Sequence, residues 1–188
     1  FECLAYLPGY TSFFAVGGGV PNSYGLHGQL WIATDHSRGT TRGSVYLLGL
    51  RLGQLDLLDL AFSRSSDGGA TWSDPIRVND DPEDSGAWQW FGMMSVAPNG
   101  RIDAVWNDTR NTGAVNLSEL YYSSSMDGGL AWSTNITISP VFDSWIGWPS
   151  GQGKIGDYYH MVSDNLGVNV AYAATFNSEQ DIYFLRIG

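Results

Sequence analysis

Short runs of alternating or continuous apolar residues recur along this chain, and they fall into four kinds. FGMMSV (91–96) and YYHMVS (158–163) form the first. RIDAVW (101–106), VNVAYA (168–173) and QLWIA (29–33) form the second. DLAFSR (59–64), ELYYSS (119–124) and DIYFLR (181–186) form the third, and DPIRVN (74–79) with TNITIS (134–139) the fourth. Period-two alternation in runs this short predicts strands. The four kinds follow one another in chain order as a, b, c and d. Pro-Asn-Gly at 98–100, Asp-Asn-Leu-Gly at 164–167 and two Asp-Gly-Gly stretches supply turns between them. LGQLDLLDLAF (52–62) is the one candidate helix, and its tail aligns with strand c, so it reads as an insertion entering that strand.

The order repeats. Gly28, Gly100 and Gly167 mark matching positions, which sets a unit of about seventy residues. Four-stranded antiparallel units strung along a chain predict an all-β fold, a β-propeller with about three blades at 24–78, 88–138 and 156–188. Residues 1–23 match no blade, although TSFFAV (11–16) is strand-like.

Within the repeat, SSDGGATW (Ser65 to Trp72) returns as SMDGGLAW (Ser125 to Trp132), between strands c and d both times. Asp followed by two Gly is turn chemistry, because the carboxylate accepts backbone N–H groups and Gly takes positive φ. Ser65 and Ser125 add local hydroxyl bonds, and Trp72 and Trp132 are apolar anchors for the hairpin. With Asp67, Gly69, Asp127 and Gly129, these residues make a Ser-x-Asp-x-Gly-x-x-Trp motif. On that motif the chain resembles the sialidase-like Asp-box (BNR repeat) propellers over residues 24–188. The resemblance implies that the boxes are structural and lie on the rim opposite the ligand site. It also implies a glycan ligand and a secreted or cell-surface location.

Composition narrows the function. A net charge of −10 argues against a nucleic-acid partner. No apolar run reaches membrane-spanning length, so no membrane insertion is expected. The single cysteine, Cys3, allows no internal disulfide and no cysteine metal site. The chain begins with Phe1 and counts three blades, where a closed ring takes about four or more. The remaining blades are therefore expected from the same longer chain or from a homodimer partner.

Strand alternation puts the a–b and c–d turns on one rim and the b–c and d–a connections on the other. On this reading the segments TDHSRGTTRG (34–43) and NDTRNTGAVN (107–116) are b–c connections. They place Asp35 with Arg38 and Arg42, and Asp108 with Arg110, opposite the boxes. Such pairs are either ion pairs within a blade or an Arg clamp with an acid or base. The d–a connections bring Asp80, Asp81, Glu83 and Asp84 beside Trp88, and Trp145 and Tyr158 further on. Aromatic rings and carboxylates on one rim suit a sugar, and glycosidic cleavage commonly uses two carboxyl groups. The candidate catalytic residues are Asp35, Asp81 and Asp108. The candidate ligand-binding residues are Arg38, Arg42, Arg110, Trp88, Trp145 and Tyr158. The 80–84 run could take Ca2+ through oxygen ligands, but its spacing fits no calcium loop, so no metal and no cofactor are expected. The Arg-Ile-Pro segment of sialidases is absent. A glycoside hydrolase and a non-catalytic glycan- or protein-binding module both remain open, with an assembly scaffold as the third reading.

Overall fold

The structure, a computed structural model, describes residues 7, 9–11, 19–53, 57–156 and 159–188. Among the described residues the regular elements are all strands, in three antiparallel sheets. The first sheet runs in order β1 (Trp31–Thr34), β2 (Val45–Arg51), β3 (Asp59–Ser65) and β4 (Ile76–Arg77). The second runs β5 (Gln89–Val96), β6 (Ile102–Asp108), β7 (Leu117–Ser125) and β8 (Ile136–Thr137), with β9 (Phe142–Asp143) added to β7. The third is β10 (His160–Asp164), β11 (Gly167–Ala174) and β12 (Asp181–Ile187). Each sheet is an up-and-down meander in chain order. Both β1 and β10 pack against β5, so the sheets fan out as blades from their first strands. The fold is an all-β partial propeller.

Blades hold together by burying both faces of their inner strands. β6 is buried along its whole length, and Trp90 and Trp106 are fully enclosed. Between the first two blades Leu48, Leu60 and Phe62 meet Gly92, Gly129 and Trp132. Phe62 is 1% exposed and meets Trp132 edge-on at 5.2 Å. Its burial alone contributes about 3 kcal/mol. Gly92 is required there, since a Cβ would lie 2.2 Å from a Leu60 methyl. Between the second and third blades Phe91 packs on Tyr159 at 5.2 Å. Phe91 holds φ +52° at an irregularity in the β5–β6 register, where its N–H donates to the His27 carbonyl at 2.6 Å.

The first blade corrects the strand assignment. QLWIA contributes to β1, the innermost strand a, and not to strand b. Strand b is β2, VYLLGLR, which lies inside two packed faces and so shows no alternation. The 52–58 stretch is the b–c connection, of which residues 54–56 lie outside the described set.

A segment before the blades stitches them together. The Nε1–H of Trp145 donates to the Val20 carbonyl at 2.9 Å, and Ser144 donates to that of Pro21. Asn22 accepts from the Ile155 N–H at 3.1 Å and donates to Leu26, and His27 packs against the Trp88 ring. Val20, Asn22, Ser23 and His27 are all buried. This segment lies across the starts of the inner strands. Of TSFFAV only Thr11 is described, bridged to Leu50 in the first blade. On the third sheet, Val162, Ile182 and Phe184 share one face and are 54%, 71% and 70% exposed.

Candidate functional site

Two rims follow from the register. In the second blade Ile102 pairs with Ser125, while Asp108 pairs with Glu119. At about 3.4 Å per residue these ends lie about 20 Å apart. The Ser125–Trp132 loop is at one end and Asp108 at the other. In the first blade Val45 pairs with both Thr34 and Ser65. Residues 35–44 are therefore the a–b turn, on the same rim as the Ser65–Trp72 loop.

That placement corrects Asp35, Arg38 and Arg42, which were expected on the opposite rim. The error came from reading β1 as strand b. Asp35 is 1% exposed and organises the turn, accepting from the Ser37 N–H at 2.7 Å. Burial pushes its carboxyl up, but hydrogen bonds from Thr41 and Ser37 outweigh this and leave its pKa lowered. Arg38 is exposed, and Arg42 is exposed and donates to the Ser37 carbonyl at 3.1 Å. None of the three touches Asp81, Asp108 or Arg110 in any hydrogen bond or ion pair among the described residues.

The two Asp-Gly-Gly loops share one design. Ser65 Oγ accepts from the Gly69 N–H at 2.8 Å and donates to Asp67 at 2.7 Å. Ser125 does the same with Gly129 at 2.9 Å and Asp127 at 2.8 Å. Asp67 accepts the N–H and hydroxyl of Thr71, chiefly through which its pKa falls to about 2. Asp127 accepts the Leu130 and Ala131 N–H groups, and its pKa is lowered chiefly by Ala131. Trp72 Nε1 donates to the Gly69 carbonyl at 3.0 Å, whereas Trp132 Nε1 has no hydrogen-bond partner.

On the other rim Asp81, Asp108 and Arg110 converge where the first two blades meet. Arg110 sends Nε and Nη2 to Asp108 Oδ2 at 2.9 and 2.8 Å, and Nη1 to Asp80 at 2.6 Å. Its Nη2 also lies 3.3 Å from Asp81 and 3.2 Å from Asn135 Oδ1, and its guanidinium stacks over Tyr121 at 4.4 Å. Asp108 further accepts from Trp106 Nε1 at 2.9 Å and Gln89 Nε2 at 3.2 Å. Its side chain is 0% exposed, and burial pushes its carboxyl up against the pull of Arg110. Arg110 is lowered by burial but raised more by Asp108, so it stays charged. The direction that governs the pair is an ion pair with a carboxylate made costly by burial.

Sequence reasoning missed half of this junction. Arg77 bonds Asp59 at 2.6 Å and lies 3.1 Å from Asp81. Asn79 Nδ2 donates to Asp59 at 2.9 Å and to Asp81 at 2.8 Å. Ser85 donates to Asp81 at 2.7 Å. The Asp80 N–H donates to the Asn135 side-chain carbonyl at 2.8 Å and the Asn135 N–H to the Asp80 carboxylate at 3.0 Å. An acidic residue opens or follows the start of each strand c, at Asp59, Glu119 and Asp181, and that recurrence was the available signal. Among the described residues no group of three or more His, Cys, Asp or Glu is placed to hold a metal ion.

Beside the junction is a cleft of about 250 Å3 walled by Ser85, Trp88, Thr109, Arg110 and Ala114. Trp88 is 7% exposed. Trp145 is half-buried at a separate place on this rim, where it holds Val20. Tyr158 lies outside the described residues.

No protein-family model matches the chain, and no curated protein matches it. The fold shown by the comparisons with solved structures is that of a β-propeller. An α-L-arabinofuranosidase from Fusarium graminearum is similar at 15% identity and a TM-score of 0.51, covering 85% of this chain and 46% of its own. The Penicillium chrysogenum α-L-arabinanase is similar at 15% identity and a TM-score of 0.50, with the same coverage. The intramolecular trans-sialidase of Ruminococcus gnavus is similar at 12% identity and a TM-score of 0.47, over 84% of this chain and 33% of its own. The chain thus spans less than half the length of each.

Proposed function

We propose that these blades bind a neutral glycan in the cleft at Trp88, Thr109 and Ala114, on the rim opposite the two Asp-Gly-Gly loops, and that Asp81 and Asp108 do not act there as an acid–base pair. The observation that carries this reading is the state of the carboxylates. Asp81 and Asp108 are 2% and 0% exposed in their side chains and are held by Arg77 and Arg110. A group so enclosed cannot reach a glycosidic oxygen. The cleft beside them keeps a polar wall and an indole edge, the usual means of holding a sugar. The fold it shares with the arabinofuranosidase and the arabinanase supports the ligand class. The resemblance of the Asp-Gly-Gly loops to Asp-boxes supports the choice of rim, and a secreted or surface location goes with it.

The test is titration of the chain with arabinobiose and with neutral oligosaccharides, beside the variant Ala114→Trp, which fills the cleft. Saturable binding lost in the variant at unchanged melting temperature supports the reading. Equal binding by both refutes it, and turnover of an aryl glycoside makes the chain a hydrolase instead. The exposed Val162, Ile182 and Phe184 face is, on the same reading, the seat of a further blade, from the same protein or a second copy.

A further inference from the structure

A second cleft with a polar wall lies on the other rim, at the Asp-Gly-Gly loops. It measures about 410 Å3, within the range of about 300–1,000 Å3 for small-molecule sites. Thr40, Thr41 and Ser44 from the a–b turn, Tyr46 from β2, and Arg64, Ser66, Thr71 and Trp72 from the c–d hairpin line it. Gly128 of the second blade closes it. A Cβ there would lie 2.8 Å from the Thr41 methyl and 3.8 Å from Arg64 Nη1, so the second blade's loop is pressed against the wall.

Arg64 is the distinctive member. It is half-buried, and among the described residues its guanidinium has neither a carboxylate nor a hydrogen-bond partner. Arg77, Arg101, Arg110 and Arg186 are all paired with Asp. Arg38, Arg42 and Arg51 likewise make no ion pair among the described residues, so what sets Arg64 apart is its half-buried place in the wall of this cleft. The nearby carboxylates are committed elsewhere. Asp35 is turned to the Ser37 N–H, Thr41 and Tyr46, and Asp67 to Thr71 and Ser65.

The second copy of the hairpin separates scaffold from site. The Ser, Asp, Gly and Trp positions are the same in both copies. The wall positions are not: Arg64, Ser66 and Thr71 correspond to Ser124, Met126 and Ala131. The Ser–Gly and Ser–Asp bonds need neither Arg64 nor Ser66, since the second loop forms them without those side chains, whereas the Thr71 hydroxyl is committed to Asp67 at 2.6 Å. The Arg64 cation and the Ser66 hydroxyl therefore answer to something other than this turn.

We propose that this cleft binds an acidic saccharide, with Arg64 pairing its carboxylate, the Thr40, Ser44 and Ser66 hydroxyls meeting ring hydroxyls, and Trp72 supplying an apolar wall. The ligand class follows from one fixed cation, many short hydroxyls and an indole in one concavity. The site is independent of the opposite rim, because filling the Ala114 cleft leaves this one open.

The experiment is calorimetric titration of the chain with methyl glucuronide, methyl glucoside and inorganic sulfate. Two variants accompany it. Arg64→Met removes the cation. Ser66→Glu places a carboxylate beside it at a position where the second loop carries Met126, 69% exposed, so the turn accepts a long side chain. Saturable glucuronide binding that falls about 10- to 100-fold in Arg64→Met, and likewise in Ser66→Glu, supports the proposal. Arg42→Gln, an exposed arginine outside the wall, should leave it unchanged. Equal affinity for glucuronide and glucoside, unchanged binding in Arg64→Met, or sulfate binding as tightly as glucuronide would each overturn it. Thermal melts of both variants separate lost binding from lost folding.

Discussion

Replacing Arg110 by Met should destabilise the chain more than replacing Asp108 by Asn, although the two residues form one ion pair. The asymmetry comes from who else each partner has. Without Arg110, the Asp108 carboxylate stays 0% exposed and keeps only the Trp106, Gln89 and residue-110 backbone donors. A buried charge left without its counter-charge costs about 3–5 kcal/mol. Lost stacking on Tyr121 adds about 0.5–1 kcal/mol, while the Met stem keeps part of the packing. Without the Asp108 charge, Arg110 still has Asp80 at 2.6 Å and Asp81 at 3.3 Å. The cost is then a mismatched hydrogen bond where an amide N–H faces the Arg110 backbone N–H, about 1–3 kcal/mol. Urea unfolding of the two variants and of the double mutant reads both numbers, with m-values checked for constancy. The pH dependence has a definite sign. Asp108 is raised on folding, so its contribution is fully present below its unfolded pKa of about 3.9 and is lost as pH rises through the folded value. Asp108→Asn should remove that part of the profile. An Asp108→Asn cost equal to or above that of Arg110→Met would refute the reasoning, because it would mean that Arg110 has no effective second partner.

Gly129→Ala should unfold the first two blades' contact, since its Cβ would sit 2.0 Å from the Phe62 ring at φ +83°, whereas Gly69→Ala meets only Trp72 at 3.9 Å and carries about 1–2 kcal/mol of φ strain. Thermal melts compare the two directly. Ser125→Ala should cost about 1–3 kcal/mol through the Gly129 N–H left unpaired, and calorimetry on that variant checks it. Asn22→Ala should leave the blades folded while exposing residues 19–27 to limited proteolysis, because Ile155 and Leu26 lose their partner together. Asp67 and Asp164 are held down to about 2, by Thr71 and by Arg186 respectively. Their contributions are present above about 3.9 and fade as pH falls through about 2, so an acid titration followed by circular dichroism should show stability declining over that window.

The blade architecture was legible because period-two strands and two hairpins with matching turn residues agreed. Gly28, however, precedes strand a and does not match Gly100 and Gly167 at their a–b turns. The expected seventy-residue unit is in fact about sixty, as Asp59, Glu119 and Asp181 of the three strands c show. What escaped was the first blade's strand b. VYLLGLR is enclosed on both sides and carries no alternation, while QLWIATD ends in an Asp like the second blade's strand b does. One misread strand moved Asp35, Arg38 and Arg42 to the wrong rim. Asp108, Arg110 and Asp81 were found, but not that they meet, since the 80–84 and 107–116 loops belong to different blades. Arg77 was hidden inside a strand too short to reveal which way its side chains turn, and Asn79 just beyond its end. Arg64 was hidden in the same manner, in a segment whose neighbours all had a structural explanation.

The clasp between residues 20–22 and residues 144–155 sets an order of assembly. Its hydrogen bonds join positions 123–133 apart in sequence. During synthesis at about 5–20 residues per second, Val20 and Asn22 leave the ribosome on the order of 10 s before Trp145 and Ile155 exist to receive them. The first two blades can pair their own strands in that interval, because each meander is local. The leading segment cannot settle, and for those seconds it is an apolar tether in search of an anchor. That stretch stays without its anchor until translation passes residue 155, and slowing the ribosome there would lengthen the interval.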